Sequence, residues 1–175
     1  RGVHDPEALQ CFAKDRTVRP LAALDLHHQR QDKLVAVPKV AANRVAVFGF
    51  SRLGKTAMWA GAQDNRFAAV VSQFSGKGGV SLSKRLVGEP VAHLAGPDLG
   101  HWFCPAYRRF AGHEADLPVD GHELAALIAP RGLLILSGTQ DSYSDPEGEF
   151  LSGVSASPVY RLLGSEGLGA TQWPS

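Results

Sequence analysis

Ser51, Lys55 and Thr56 put a hydroxyl nucleophile, an amine and a second hydroxyl within six residues, in Gly49-Phe50-Ser51-Arg52-Leu53-Gly54-Lys55-Thr56. Two chemistries use such a stretch. As G-x-x-x-x-G-K-[ST] it is a phosphate cradle, in which backbone N–H groups hold phosphates, the lysine reaches them and the Thr56 hydroxyl binds magnesium. As a nucleophile elbow it is a sharp turn that lifts Ser51 above a sheet, with the Arg52 N–H facing a developing oxyanion. The elbow pattern G-x-S-x-G fits imperfectly, because the second glycine stands three residues after the serine instead of two. A plain glycine turn without chemistry is the third reading, and the motif alone leaves all three open.

The elements that must position these residues are legible on both sides. Val45-Ala46-Val47-Phe48 is apolar, β-branched and too short for a helix, so it reads as a buried strand, and the helix formers after Gly54 predict a helix over Leu53–Gln63. Phe67–Val71 is a second buried strand, closed by Gly76-Lys77-Gly78-Gly79, and strand, helix and strand together predict a βαβ unit of a parallel sheet. A helix is expected over Ser83–Ala95. The stretch from Gly96 to Gly121 reads as a long irregular segment whose Trp102, Phe103, Tyr107 and Phe110 either anchor it to the core or meet a ligand. His122–Ala129 is a short helix, Gly132–Leu136 a third strand, and Pro146–Leu163 a helix interrupted at Gly153 and Pro158 and ended by Gly164. Before Arg44 the pattern is weak, and residues 1–43 are expected to hold a helix over Pro6–Val18 and a connection. The fold class is therefore α/β, with the organised domain spanning 44–175.

Composition excludes several functions. With 175 residues, 44% hydrophobic and 20% charged, the chain suits one globular core, and 18 basic against 17 acidic residues leave a net charge of +1. No global field recruits nucleic acid or an anionic membrane, and no apolar run approaches a membrane span. Cys11 and Cys104 are the only cysteines, and two free thiols are expected, with one bridge between them as the alternative. His101 and Cys104 have a metal-site spacing, but His113 and His122 do not complete a ligand set, so neither metal nor another cofactor is expected. The paired His27 and His28 suit a solvated helix face.

An acidic partner decides between the two chemistries. A phosphate-binding ATPase needs an apolar strand ending in a magnesium-holding acid. Here the second strand runs into Ser72-Gln73-Phe74 and the third into Ser137-Gly138. A serine hydrolase on this fold needs serine, acid and histidine in that chain order, and Ser51 followed by Asp141, beyond the carboxyl end of a parallel strand, supplies two of the three.

Longer segments carry a resemblance. RVAVFGFSRLGKTAMWAGAQDNRFAAVVS, GKGG with SLSKR, VGEPVA, HWFCPAY, LPVDGHELAALIAPRGLLIL and DSYSDPEGEF with PVYRLLGSEGLGAT resemble the bacterial branch of the glucuronoyl esterases, carbohydrate esterases of the α/β-hydrolase fold. That family carries G-x-S-R-x-G-K around its serine. The resemblance implies hydrolysis, without cofactor, of the ester between glucuronic acid on xylan and a lignin alcohol, in a secreted or periplasmic setting. It implies Ser51 as nucleophile, Arg52 as oxyanion donor, Lys55 and Glu89 as sugar ligands and Asp141 as triad acid, with Asp145 as its substitute. Tyr143 stands where many members have a tryptophan lining the sugar site. Phe74 stands where other members place a glutamate acid, and His122 reads as structural. All seven histidines precede Asp141, whereas the family's catalytic histidine follows a later strand. The chain is thus expected to be a partial α/β-hydrolase domain lacking its early strands, its last strand and the catalytic histidine, with little esterase activity of its own. A nucleotide-binding P-loop protein and a catalytically dead carbohydrate-binding remnant are the competing expectations.

Overall fold

The computed structural model describes residues 32–33, 36–38 and 40–173. The helix expected over Pro6–Val18, the histidine pair at 27 and 28 and Cys11 lie outside the described residues. Three strands, β1 (Ala46–Phe50), β2 (Ala69–Gln73) and β3 (Gly132–Leu136), form one parallel sheet in the order β1-β2-β3. Their register aligns Phe50 with Gln73 and Gln73 with Leu136, so all three strands end at one edge. Every strand-to-helix loop therefore opens on the same rim.

Helix α1 (Arg52–Gln63) follows β1 after one residue and packs on β1 and β2. The core joins Val47, Met58, Phe67, Val70, Ala125, Ile128 and Ala156. Gly61 allows this approach, because a Cβ there would stand 2.2 Å from Val70 Cγ2 and 3.1 Å from Ile128 Cδ1. Helices α3 (Gly121–Ala126) and α4 (Pro146–Leu162) pack together over the same face. The strands were expected to be buried on both sides. Among the described residues only one face is covered, since Phe48 is 56%, Phe50 54% and Leu134 51% exposed on the other. Among the described residues no helix is long and apolar enough to cross a membrane.

Three further expectations need correction. The helix over Ser83–Ala95 is instead a 3-10 turn, Ser83–Arg85, and the short helix α2, Val91–Leu94. Leu86 and Gly88 take positive φ and Pro90 follows, so the backbone cannot continue helically between them. Helix α4, by contrast, runs unbroken through Gly153 and Pro158. Packing against β3 and α3 outweighs the local propensity, and the helix ends where Gly164 N–H donates to Arg161 O and Ser165 N–H to Tyr160 O. Cys104 is disulfide-bonded, not a free thiol, and is thereby removed as a metal ligand.

The irregular stretch from Gly96 to Gly121 contains three 3-10 turns and has a core of its own. Val91, Leu94, Ala95, Tyr107 and Leu117 are buried together, with Trp102, Phe103 and Phe110 packed against them. Phe103 stacks on Tyr107 at 4.5 Å, so these aromatics anchor the segment. Asp120 joins it to the main body. Its carboxylate caps α3 at Gly121 N–H (2.8 Å) and also accepts from the N–H groups of Ser83 (2.6 Å) and Lys84 (3.1 Å).

Two substitutions test this packing. Gly61→Ala should cost about 1–3 kcal/mol through overpacking, read as a fall in Tm of several degrees. Asp120→Ala should cost about 2 kcal/mol, because three N–H groups lose their acceptor. An unchanged Tm in the first variant would mean that α1 does not lie against β2 as described.

Candidate active site

The turn between β1 and α1 consists of Ser51 alone. Its φ of 55° and ψ of −124° lie in a region that non-glycine residues rarely adopt. The turn closes because both flanking glycines lack a side chain. A Cβ on Gly49 would stand 1.9 Å from Leu53 O, and one on Gly54 would stand 2.9 Å from Ser75 Cβ and 3.2 Å from Gly49 O. Ser51 N–H donates to Gln73 O on the neighbouring strand (2.8 Å), and its carbonyl accepts from Gly54 N–H (2.8 Å). The strained residue is thus held from both sides, and its side chain is exposed at the rim.

This geometry decides between the motif's two chemistries. A phosphate cradle needs an open loop between its glycines, but here Gly49 belongs to β1, Gly54 lies in the first turn of α1 and the two are in contact. The Thr56 hydroxyl donates to Arg52 O (3.2 Å) and Lys55 Nζ to Ser75 O, so neither points into a cradle. Arg52 opens α1, where a backbone N–H has no acceptor within the helix, while its guanidinium lies 5.6 Å above the Trp102 ring. Trp102 was not singled out beside Arg52 in the sequence. No spacing pattern could have found it, since the pair joins segments fifty residues apart.

Lys55 sits one turn behind Ser51, half-buried. Desolvation lowers its ammonium to about 8, against the pull of the Glu89 and Glu149 carboxylates. Glu89 is joined to the loop after β3, because its N–H donates to Tyr143 O (2.9 Å), and its carboxylate lies 3.6 Å from His93 Nε2. Gly76 links the two sides of the rim, since a Cβ there would meet Ser144 Cα at 3.3 Å and Lys55 Nζ at 3.7 Å. Ser51, Lys55, Glu89 and the Asp141–Ser144 turn therefore share one edge of the molecule. Tyr143 is exposed on that edge.

The two candidate acids differ. Asp141 is half-buried, and its carboxylate accepts from the N–H groups of Tyr143 (2.9 Å) and Ser144 (3.3 Å) and from the Ser144 hydroxyl. Burial pushes its carboxyl up, but these three donors outweigh that and hold it below the usual carboxylate range. Asp145 is only 2% exposed and is used structurally. It caps α4 at Gly148 N–H (3.0 Å) and pairs with Arg85 Nε (3.0 Å). A depression of about 250 Å³ opens beside Asp141, lined by Arg85, Gln140, Asp145 and Trp173; Ser51 does not line it.

Phe74, just after β2, takes φ 50° and packs edge-on against Phe50 at 5.8 Å. Among the described residues no imidazole hydrogen-bonds Ser51. His93 faces Glu89, His101 the Trp102 ring and His122 Glu123. Sequence reasoning missed Glu149, which is wholly buried beneath the rim. Its place in the first turn of a helix that starts at the sheet edge was the available signal.

Comparison with known proteins agrees with this construction. The family described as "Glucuronyl esterase, fungi" matches residues 28–164. A carbohydrate esterase, MZ0003, from an unknown prokaryotic organism is 50% identical over 131 residues, which cover 75% of this chain and 30% of that protein. A 4-O-methyl-glucuronoyl methylesterase of Hypocrea jecorina is 33% identical over 152 residues, covering 81% of this chain and 32% of its own length. Among solved structures, a promiscuous CE15 esterase from the marine bacterial metagenome superimposes with a TM-score of 0.86 at 42% identity, covering 94% of this chain and 43% of that one. The chain thus spans about a third of the length of these curated relatives. With elbow, parallel sheet and sequence in agreement, this chain belongs to the glucuronoyl esterase family and has part of its α/β-hydrolase fold.

Proposed function

We propose that these residues carry the nucleophile, the acid and part of the sugar site of a serine hydrolase that cleaves glucuronate esters, such as those joining xylan to lignin alcohols. The observation that carries this reading is Ser51, held at positive φ and exposed on the same sheet edge as Lys55, Glu89 and Asp141. Ser51 Oγ attacks the ester carbonyl carbon while an imidazole takes its proton. The oxyanion meets the Arg52 N–H, the bond to the alcohol oxygen breaks and the alcohol leaves with that proton. Water then attacks the acyl-enzyme, frees the glucuronic acid and regenerates Ser51. Lys55 and Glu89 hold the sugar, Tyr143 lines it and Asp141 orients the imidazole. We place that imidazole outside the 175 residues, since all seven histidines precede Asp141. No metal or organic cofactor enters the scheme.

Asp141 is the better acid because its carboxylate is turned by donors that leave it ionised and half exposed, whereas Asp145 already neutralises Arg85. That difference separates two variants. Asp145→Asn should destabilise the protein by about 3–5 kcal/mol, as loss of one partner of a buried ion pair does. Asp141→Asn should leave Tm nearly unchanged and lower kcat by about a hundredfold or more.

The central test is hydrolysis of benzyl glucuronate by the chain continued past Ser175. Cleavage is expected, with loss of at least about a thousandfold in kcat on Ser51→Ala; cleavage surviving that substitution overturns the reading. Binding of methyl 4-O-methyl-glucuronate to the 175 residues should weaken on Lys55→Ala. The part due to the ammonium is present below about 8 and lost as pH rises through that value.

A further inference from the structure

Glu149 is fully buried, and none of the catalytic steps above uses it. Its Oε1 accepts from the Gly76 N–H (2.8 Å) and the Ser75 hydroxyl (3.3 Å), and its Oε2 accepts from the Ser137 hydroxyl. Ser75 and Gly76 follow β2, and Ser137 follows β3. One side chain from the first turn of α4 therefore ties together the loops that leave two adjacent strands. Ser75 connects it onward, since its carbonyl accepts from Lys55 Nζ and its hydroxyl from the Val80 N–H (3.0 Å).

A neutral amide could hold these same groups. Its oxygen would accept from Gly76 and Ser75, and its NH2 would donate to Ser137. A carboxylate withdrawn from water is far costlier to bury than an amide, and burial does push Glu149 up, against the pull of Ser137, Gly76, Ser75 and Lys55. The charge therefore calls for a use beyond scaffolding, and Ser75 joins it to a cation: its hydroxyl donates to Glu149 Oε1 (3.3 Å) and its carbonyl accepts from Lys55 Nζ. Two carboxylates act on that ammonium, Glu89 from the segment before α2 and Glu149 from α4. Glu89 also faces His93 at 3.6 Å and, on the reading above, the sugar. Only Glu149 is sealed from both.

We propose that Glu149 is a positioning residue for the ester site: it locks the loops after β2 and β3 at the sheet edge and, through Ser75, serves as a counter-charge to the Lys55 ammonium. The bearing of the second half on ester binding rests on the assignment of Lys55 as a sugar ligand. The first is independent of it.

The test uses the 175-residue chain with 13C-labelled lysine, the Lys55 signal being assigned by its loss in Lys55→Arg. In Glu149→Gln the fold should persist, with Tm within a few degrees or higher. The Lys55 titration midpoint should fall from about 8 by roughly half a pH unit or more. Binding of methyl 4-O-methyl-glucuronate at pH 8.5 should then weaken about 2.5-fold or more, following the smaller charged fraction. A folded Glu149→Gln whose Lys55 midpoint stays in place overturns the inference and makes Glu149 a structural group only. Should that variant not fold, the reciprocal measurement decides: in Lys55→Met the 13C-carboxyl titration of Glu149 must move to higher pH, and an unmoved titration overturns the coupling. A shifted Lys55 midpoint with unchanged ester binding supports the coupling and removes Lys55 from the sugar site, which separates failure of the proposed function from failure of this inference.

Discussion

The structure depends on one strained residue. Between the last residue of β1 and the first of α1 there is only Ser51, so the chain must reverse within a single φ, ψ pair, and that pair lies at positive φ. Such a conformation persists only where its surroundings over-determine it. Three features do so here: Gly49 and Gly54 close against each other, Ser51 N–H is held by Gln73 O, and the Ser51 carbonyl starts the first helical turn. Every one of them ties the serine to the β1–β2 pair or to α1. Its hydroxyl is thereby presented at a fixed place on the sheet edge, which on the proposed reading is what a nucleophile whose partners come from other loops requires.

Buried carboxylates organise the loops around that point. Asp120 binds the turn at Ser83 to α3, Asp145 binds Arg85 to the start of α4, and Glu149 binds the exits of β2 and β3. Each joins segments distant in sequence, and each receives backbone N–H groups that irregular loops cannot satisfy among themselves. Lys77, itself buried, stands among Glu114, Asp145 and Asp120, and desolvation lowers its ammonium against their pull. The rim is therefore held by charge and hydrogen bonds, while the apolar core lies beneath it on one face of the sheet.

The parts legible in the sequence were those with local signals. β1 to β3, α1, α3 and α4 follow from apolar runs and helix formers, and the elbow from its glycines. Where the outcome turned on contacts between distant segments, the sequence pattern was silent or misleading. Ser83–Ala95 has helix formers, but Gly88 and Pro90 and a left-handed Leu86 divide it. Pro158 reads as a break, yet α4 continues because it is packed along its length. The sheet face left uncovered among the described residues has no counterpart in the pattern, because Val45–Phe48 lacks the alternation of polar and apolar residues that marks a half-buried strand. For the site, residue types and chain order pointed to Ser51 and Asp141 and the resemblance to Lys55, but only coordinates reveal the different partners of Asp141 and Asp145 or the Trp102 beneath Arg52.

On the proposed reading, the position of the acid is set by the same sheet. β2 lies between β1 and β3, so the loop carrying Asp141 leaves a strand two places from the serine, roughly 10 Å away at ordinary strand spacing. An imidazole with a hydrogen bond at each nitrogen spans roughly 8 Å from hydroxyl to carboxylate. On the proposed reading an imidazole entering over β2 can touch both. Phe74 stands at the exit of β2. Its positive φ turns the ring across the sheet edge, between Phe50 and Gly138, where a Cβ on Gly138 would stand 2.8 Å from it. On the proposed reading, the acid therefore comes from the β3 loop, while the β2 exit carries a half-buried aromatic ring.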